Sequence, residues 1–191
     1  MNEQILYKSI GKIALGYFFI YFNFNLGTFN LLPIFVGYLL ILYAIGALEQ
    51  EESELRLLRP FAAILIVWHT AGWILSCFSV DIDGFFRIAE LFISVINLYF
   101  HFQLLTNLAS IAAAYQSDED EYDVKLKRCR TIQTVLLTAV IIIGEIADYA
   151  GEYTLFFSIP MAIVYIIVGI LMIKALLNFR KCLMNGENEY A

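Results

Sequence analysis

Between Lys12 and Glu49 no residue carries a charged side chain. As one helix this run would be about 54 Å long, too long for one crossing of an apolar layer roughly 30 Å thick. Two short crossings need a tight turn between them. The stretch Asn25-Leu26-Gly27-Thr28-Phe29-Asn30 has the turn chemistry, and Pro33 suits the first turn of a new helix. The first helix then recruits residues from about Ile5, with Lys8 and Lys12 reaching back to the interface.

Further uncharged runs extend from Pro60 to Val80, from Leu91 to Ser117 and from Tyr153 to Ile173. Each is long enough to cross as a helix. The run from Thr131 to Gly144 is shorter, so its span extends to about Ala150 and carries Glu145 and Asp148 near its far end. With 61% hydrophobic and 16% charged residues, the chain has too little polar surface to be an ordinary soluble domain, for which about 25% is charged. The expected fold class is all-α: a polytopic membrane helix bundle forming one integral-membrane domain over residues 1–191. The expected spans lie at about 5–25, 32–48, 60–80, 85–112, 131–150 and 153–176.

Basic residues decide between five spans and six. With six spans, Lys8, Lys12, Arg56, Arg59, Lys125, Lys127, Arg128, Arg130, Lys174, Arg180 and Lys181 share one side, and Arg87 stands alone on the other. Five spans divide the same residues 9 to 3. The expectation is six transmembrane helices arranged as three outward-pointing hairpins, with N-terminus and C-terminus both cytoplasmic. No small-x-small cleavage site follows the first apolar run, so the first span is expected to be retained. Gly27 with Pro33-x4-Tyr38 and Gly151 with Pro160-x4-Tyr165 form a loose pattern shared by the first and third hairpins. It reads either as an internal repeat or as the ordinary placement of Pro and Tyr in membrane helices. Cys77, Cys129 and Cys182 have no paired spacing and read as reduced or buried thiols.

The string YFNFNLGTFNLLPIFVGYLLILYAIGAL, about residues 20–48, resembles the N-terminal hairpin of small multi-pass membrane proteins of Firmicutes-type bacteria. Asn25, Gly27, Asn30, Leu32, Pro33, Gly37 and Tyr38 carry the resemblance. It implies a bacterial plasma-membrane protein and carries no activity.

Ionisable groups at membrane depth point to function, because they cost free energy there. Glu90 and Glu145 each lie about five residues below the outer edge, roughly 7 Å deep. Asp148 is one turn above Glu145, and Arg87 one turn above Glu90. Two readings stand. The three carboxylates share an outer vestibule with Arg87, where they hold a cation or raise one another's pKa. Alternatively, Arg87 pairs with Glu90 or Glu145 and aligns the helices. Arg87, Glu90, Ser94, Asn97 and His101 follow one another at spacings of 3, 4, 3 and 4, one stripe on the fourth helix. Such a stripe lines a pathway or bonds to neighbouring helices. His69, between Trp68 and Trp73, serves as a proton relay or solute ligand, or as a hydrogen-bonded packing residue. By rise it lies near the depth of Asn97, with His101 closer to the cytoplasm, so the two histidines are poor joint metal ligands. No metal site and no cofactor are expected. Asn23, Asn25 and Asn30 build the turn or line the vestibule.

The segment Glu49 to Arg59 contains E-E-x-x-x-R at Glu51, Glu52 and Arg56, similar to the first motif of intramembrane CAAX-type metalloproteases. The F-x-x-x-H and H-x-x-x-N/D companions are missing, and a solvated helical connection is expected instead. The inner loop SDEDEYDVKLKRCR is acidic, then basic. Its basic part faces anionic headgroups, and its acidic part is solvated or docks a protein partner. H-E-x-x-H, G-x-S-x-G, P-loop and G-x-G-x-x-G strings are missing, which weakens the enzymatic readings. The expected partners are the lipid bilayer and a small cationic solute or a proton, not nucleic acid. Two functions lead: a transporter or substrate-capturing membrane subunit, or a non-transporting assembly, regulatory or envelope protein; an enzyme acting on lipid substrates through Glu90, Glu145 or His69 is the third reading.

Overall fold

The computed structural model describes residues 3–22, 25–26, 29–30, 33–78, 87–117, 120–150 and 153–189. These form helices α1 (Glu3–Tyr21), α2 (Ile34–Leu48), α3 (Arg59–Cys77), α4 (Arg87–Tyr115), α5 (Tyr122–Ala150) and α6 (Tyr153–Glu189). A helix satisfies its own backbone polar groups, which an apolar solvent demands. Four helical stretches are long and apolar enough to cross a membrane: Ser53–Cys77, Arg87–Tyr115, Tyr122–Ile146 and Ser158–Leu183. Ile34–Leu48 is a shorter apolar helix. In α1, Lys12 lays its Nζ 3.7 Å over the ring of Tyr43.

The turn segment between α1 and α2 pairs Asn25 with Asn30 and Leu26 with Phe29 in a two-residue antiparallel ladder. Pro33 caps the start of α2 with φ −65°. Asn23, Gly27 and Gly151 lie outside the described residues. Pro160, by contrast, lies inside α6 rather than at its start. The two prolines of the loose hairpin pattern therefore occupy different positions, since α6 already begins at Tyr153. The basic residues Lys174 to Lys181 continue α6 as one helix to Glu189. At 37 residues, α6 is about 55 Å long, well beyond the roughly 30 Å that an apolar bilayer core measures.

Each helix packs against the next in sequence, and α1 also packs against α6. The six helices thus close into a ring. One end of the ring carries the Asn25–Asn30 ladder, Arg87 and Glu145; we call it the hairpin end. The opposite, terminal end carries Glu3, Arg59 and Tyr122.

The two halves of the ring are packed differently. Phe100, Leu104 and Leu108 of α4 and Met172, Leu176 and Phe179 of α6 belong to one fully buried core toward the terminal end. Among the residues whose burial is described, none is buried in α3 beyond Leu65, in α4 before Phe100, in α5 after Leu136 or in α6 before Val168. Only α1 and α2 keep a buried face along most of their length, from Leu6 to Tyr21 and from Gly37 to Leu48.

The connection between α2 and α3 differs from the solvated segment expected. Ser53–Leu58 is a 3-10 helix whose Leu55 and Leu58 are fully buried. The Tyr115 hydroxyl donates to Glu51 Oε2 at 2.8 Å, and Gln103 Nε2 donates to Glu54 Oε2 at 3.0 Å. Glu49 pairs with Arg59 at 3.0 Å. Two of the three leucines in this charge-rich segment supply the apolar surface that draws the connection against α4, while Leu57 stays exposed.

The backbones of α1 and α2 approach each other closely. A Cβ on Gly16 would stand 2.7 Å from the Gly37 carbonyl oxygen, and one on Gly37 would stand 2.6 Å from that of Gly16. Backbone faces backbone, with the Ile41 and Ile20 side chains packed alongside at 2.7 and 2.8 Å from the same two positions. Close approach of this kind drives helix association where lipid leaves little hydrophobic force between helices. Gly16→Ala or Gly37→Ala should therefore destabilise the protein by about 1–3 kcal/mol, read as a lower unfolding midpoint in detergent. Gly72→Ala, where a Cβ meets nothing within 4 Å, should leave the midpoint unchanged or raise it.

Candidate functional site

The residues following the two glycines meet at the centre of the ring. Tyr17 of α1 and Tyr38 of α2 are fully or almost fully buried, and His101 of α4 lies between them, 2% exposed. The Tyr38 hydroxyl donates to Asn97 Oδ1 at 2.6 Å and lies 3.3 Å from His101 Nε2. His101 Nδ1 lies 3.1 Å from the Tyr17 hydroxyl.

Counting protons gives this chain a direction. A tyrosine has one hydroxyl proton, and that of Tyr38 is on Asn97. Its oxygen can then only accept from His101, so Nε2 carries the imidazole proton. A neutral ring leaves Nδ1 bare, and Nδ1 accepts from Tyr17. The order of donation is Tyr17 to His101 to Tyr38 to Asn97.

The same residues belong to a line of rings across the bundle. Tyr165 of α6 packs on Tyr21 of α1 at 4.6 Å between centroids, and Tyr21 lies 6.2 Å from Tyr17. Tyr17 lies 5.3 Å from His101, and His101 lies 5.9 Å from Tyr38. His69 of α3 stacks on Tyr38 at 5.3 Å with the planes 9° apart. Gly169 makes room for the Tyr21 ring, since a Cβ there would stand 2.5 Å from it.

Beside this line lies a cleft of about 650 Å³ in the hairpin half. Leu137, Val140 and Gly144 of α5 and Met161, Ala162 and Tyr165 of α6 form its walls, while Tyr21 and Asn97 close it toward the bundle centre. Among the described residues no charged side chain lines it. Asn97 Oδ1 is engaged by Tyr38, whereas its Nδ2 makes no hydrogen bond among the described residues. The cleft thus offers aromatic faces and an amide donor.

The polar stripe of α4 divides between two settings. Asn97 and His101 join the central chain, while Arg87 turns to α5 and pairs with Glu145 at 3.3 Å. Both side chains of that pair are nearly half exposed, 48% and 44%, which limits its worth to about 1 kcal/mol or less. The pair joins α4 to α5 at the hairpin end, as the ion-pair alternative expects. Glu90 is exposed and makes no ion pair or hydrogen bond among the described residues. Asp148 belongs to α5, but its side chain lies outside the described residues. The structure therefore brings Arg87 to Glu145 and does not bring Glu90 into that contact. Among the described residues no group of three His, Cys, Asp or Glu is placed to hold a metal.

His69 and His101 both contact Tyr38, although their estimated depths set them apart. Rise along a helix gives height but not the length of a tyrosine between two rings. Sequence reasoning does not single out Tyr17, Tyr21, Tyr38 and Tyr165 as site residues. The available signal is the Gly-Tyr doublet, present at Gly16-Tyr17 and again at Gly37-Tyr38.

No family model, curated protein or solved structure matches the chain. The site has to be read from its own chemistry.

Replacing Tyr38 with Phe keeps the ring and removes both hydrogen bonds. Asn97 Oδ1 loses its donor, and His101 Nε2–H loses its acceptor in a buried position. The expected loss is about 1–3 kcal/mol of stability, measured by unfolding of the purified protein. Tyr43→Phe, which keeps its ring beneath Lys12, should show no comparable loss.

Proposed function

We propose that the chain is a six-span plasma-membrane protein, both termini cytoplasmic, that captures or transports a small cationic solute through its hairpin-end cleft. The observation that carries this reading is the cleft itself: an uncharged recess walled partly by Tyr21 and Tyr165, with the Asn97 amide at its inner end. Aromatic faces attract organic cations by roughly 0.5–2 kcal/mol each. Glu145 directly follows the cleft-lining Gly144, and Glu90 adds a second carboxylate on the hairpin half of α4 against one arginine. Eleven of the twelve basic residues fall on the inner side in this topology, which supports the orientation. The resemblance of residues 20–48 to hairpins of Firmicutes-type membrane proteins supports a bacterial plasma membrane.

A non-transporting assembly, regulatory or envelope role is the second reading. It is favoured by polar groups that already pair with one another between separate segments, including Arg87 with Glu145 and Tyr115 with Glu51.

Ligand-dependent stability separates the two. Purified protein is unfolded thermally with a panel of organic cations, their neutral analogues and simple salts. A specific cation at a hundredfold excess over its Kd should stabilise the protein by about 2.7 kcal/mol. Glu145→Gln and Tyr165→Leu should reduce that shift. No shift with any solute, together with unchanged cellular function of Glu145→Gln, would favour the non-transporting reading. The topology is checked separately with an impermeant thiol reagent on intact cells, in a background without native cysteines. It should label Asp83→Cys and leave Glu121→Cys unlabelled.

A further inference from the structure

A second recess lies on the neighbouring seam of the ring, between α1 and α6, and its chemistry is unlike that of the cleft. It measures about 520 Å³. Phe18, Phe22 and Ile170 line one part, and Lys174, Arg180 and Lys181 line the other. Among the described residues no carboxylate lines it. Its apolar part lies toward mid-bundle and its basic part toward the terminal end, because α1 and α6 run antiparallel. From Ile170 to Lys181 the helix rises roughly 17 Å, close to half the thickness of an apolar bilayer core.

The basic part is partly fixed in place. The Arg180 guanidinium lies 3.9 Å over the ring of Tyr7. A Cβ on Gly11 would stand 3.1 Å from Arg180 Cζ, so the bare glycine gives the guanidinium its seat on α1. Arg180 Nε is buried without a hydrogen-bond partner, and no carboxylate pairs with Arg180 among the described residues. Lys174 and Lys181 flank it from exposed positions on α6. Three cations gathered without a described counter-charge, at the end of an apolar groove one leaflet deep, match a single kind of molecule.

We propose that the α1–α6 groove is a specific site for one anionic phospholipid. Its phosphate lies among Lys174, Arg180 and Lys181, and an acyl chain runs along Phe18, Phe22 and Ile170. The apolar wall distinguishes this ligand from free phosphate, and the cations distinguish it from a zwitterionic lipid.

The test uses full-length protein stripped of lipid in a neutral detergent. Phosphatidylglycerol, phosphatidylcholine or inorganic phosphate is added, with thermal unfolding and native mass spectrometry as readouts. Phosphatidylglycerol should give a one-to-one adduct and a saturable rise in the unfolding midpoint, and the other two additives should give neither. Lys174→Gln combined with Lys181→Gln should raise the half-saturating phosphatidylglycerol concentration roughly twenty-five-fold, at about fivefold per charge. Lys125→Gln combined with Lys127→Gln, outside the groove, should leave it unchanged. The proposal is overturned if phosphatidylcholine or inorganic phosphate reproduces the shift. It is equally overturned if the two double variants behave alike.

Discussion

Two glycines facing each other set the geometry of the whole bundle centre. Gly16 and Gly37 let the backbones of α1 and α2 touch. The next residue on each helix is a tyrosine, so the glycine contact also fixes the separation of Tyr17 and Tyr38. His101 spans that separation with one ring nitrogen toward each hydroxyl. Were the helices a typical distance of about 8–10 Å apart with larger side chains between them, the two hydroxyls would spread beyond the reach of an imidazole. The polar chain is thus a consequence of a backbone contact that contains no polar side chain.

On either side of this hydrogen-bonded centre the bundle is built differently. Buried leucines and phenylalanines hold the terminal half, and the α1–α2 pair carries the packing past the centre. Above that level α3 to α6 have no buried side chains among those described. The cleft between α5 and α6 occupies this loosely packed half, and Asn97 connects it to the hydrogen-bonded chain. Local stability follows local packing, so the hairpin half is where rearrangement costs least.

Helices were readable from the sequence because charge is excluded from apolar surroundings, and the uncharged runs mark the apolar helices. The start of α2 at Pro33 and the unbroken continuation of α6 through Lys174 follow from the same local rules. Which faces meet was not readable, since one sequence carries height but little azimuth. Asn97 and His101 stood out because polar side chains are rare at that depth. Tyr17 and Tyr38 did not, because tyrosine is common in membrane helices and its hydroxyl shows its partner only after packing. The Gly16–Gly37 contact escaped for a related reason. Each helix contributes a single glycine, so neither helix carries a small-residue motif that would mark the contact. In the α2–α3 connection, the density of charge concealed Leu55 and Leu58, whose burial governs how that segment lies.

Ring closure between α1 and α6 also bears on the order in which the protein can assemble. The α1–α2 pair is complete once Leu48 has been made, but the other flank of α1 waits for its cover. Gly169, which receives the Tyr21 ring, comes far later in the chain than Tyr21 itself. At translation rates of about 5–20 residues per second, the interval between them keeps that flank open for roughly 7–30 seconds. During that interval Tyr21 and its neighbours face whatever the insertion machinery or the surrounding lipid presents to them. The seam that closes last in the native ring is therefore the one exposed longest during synthesis.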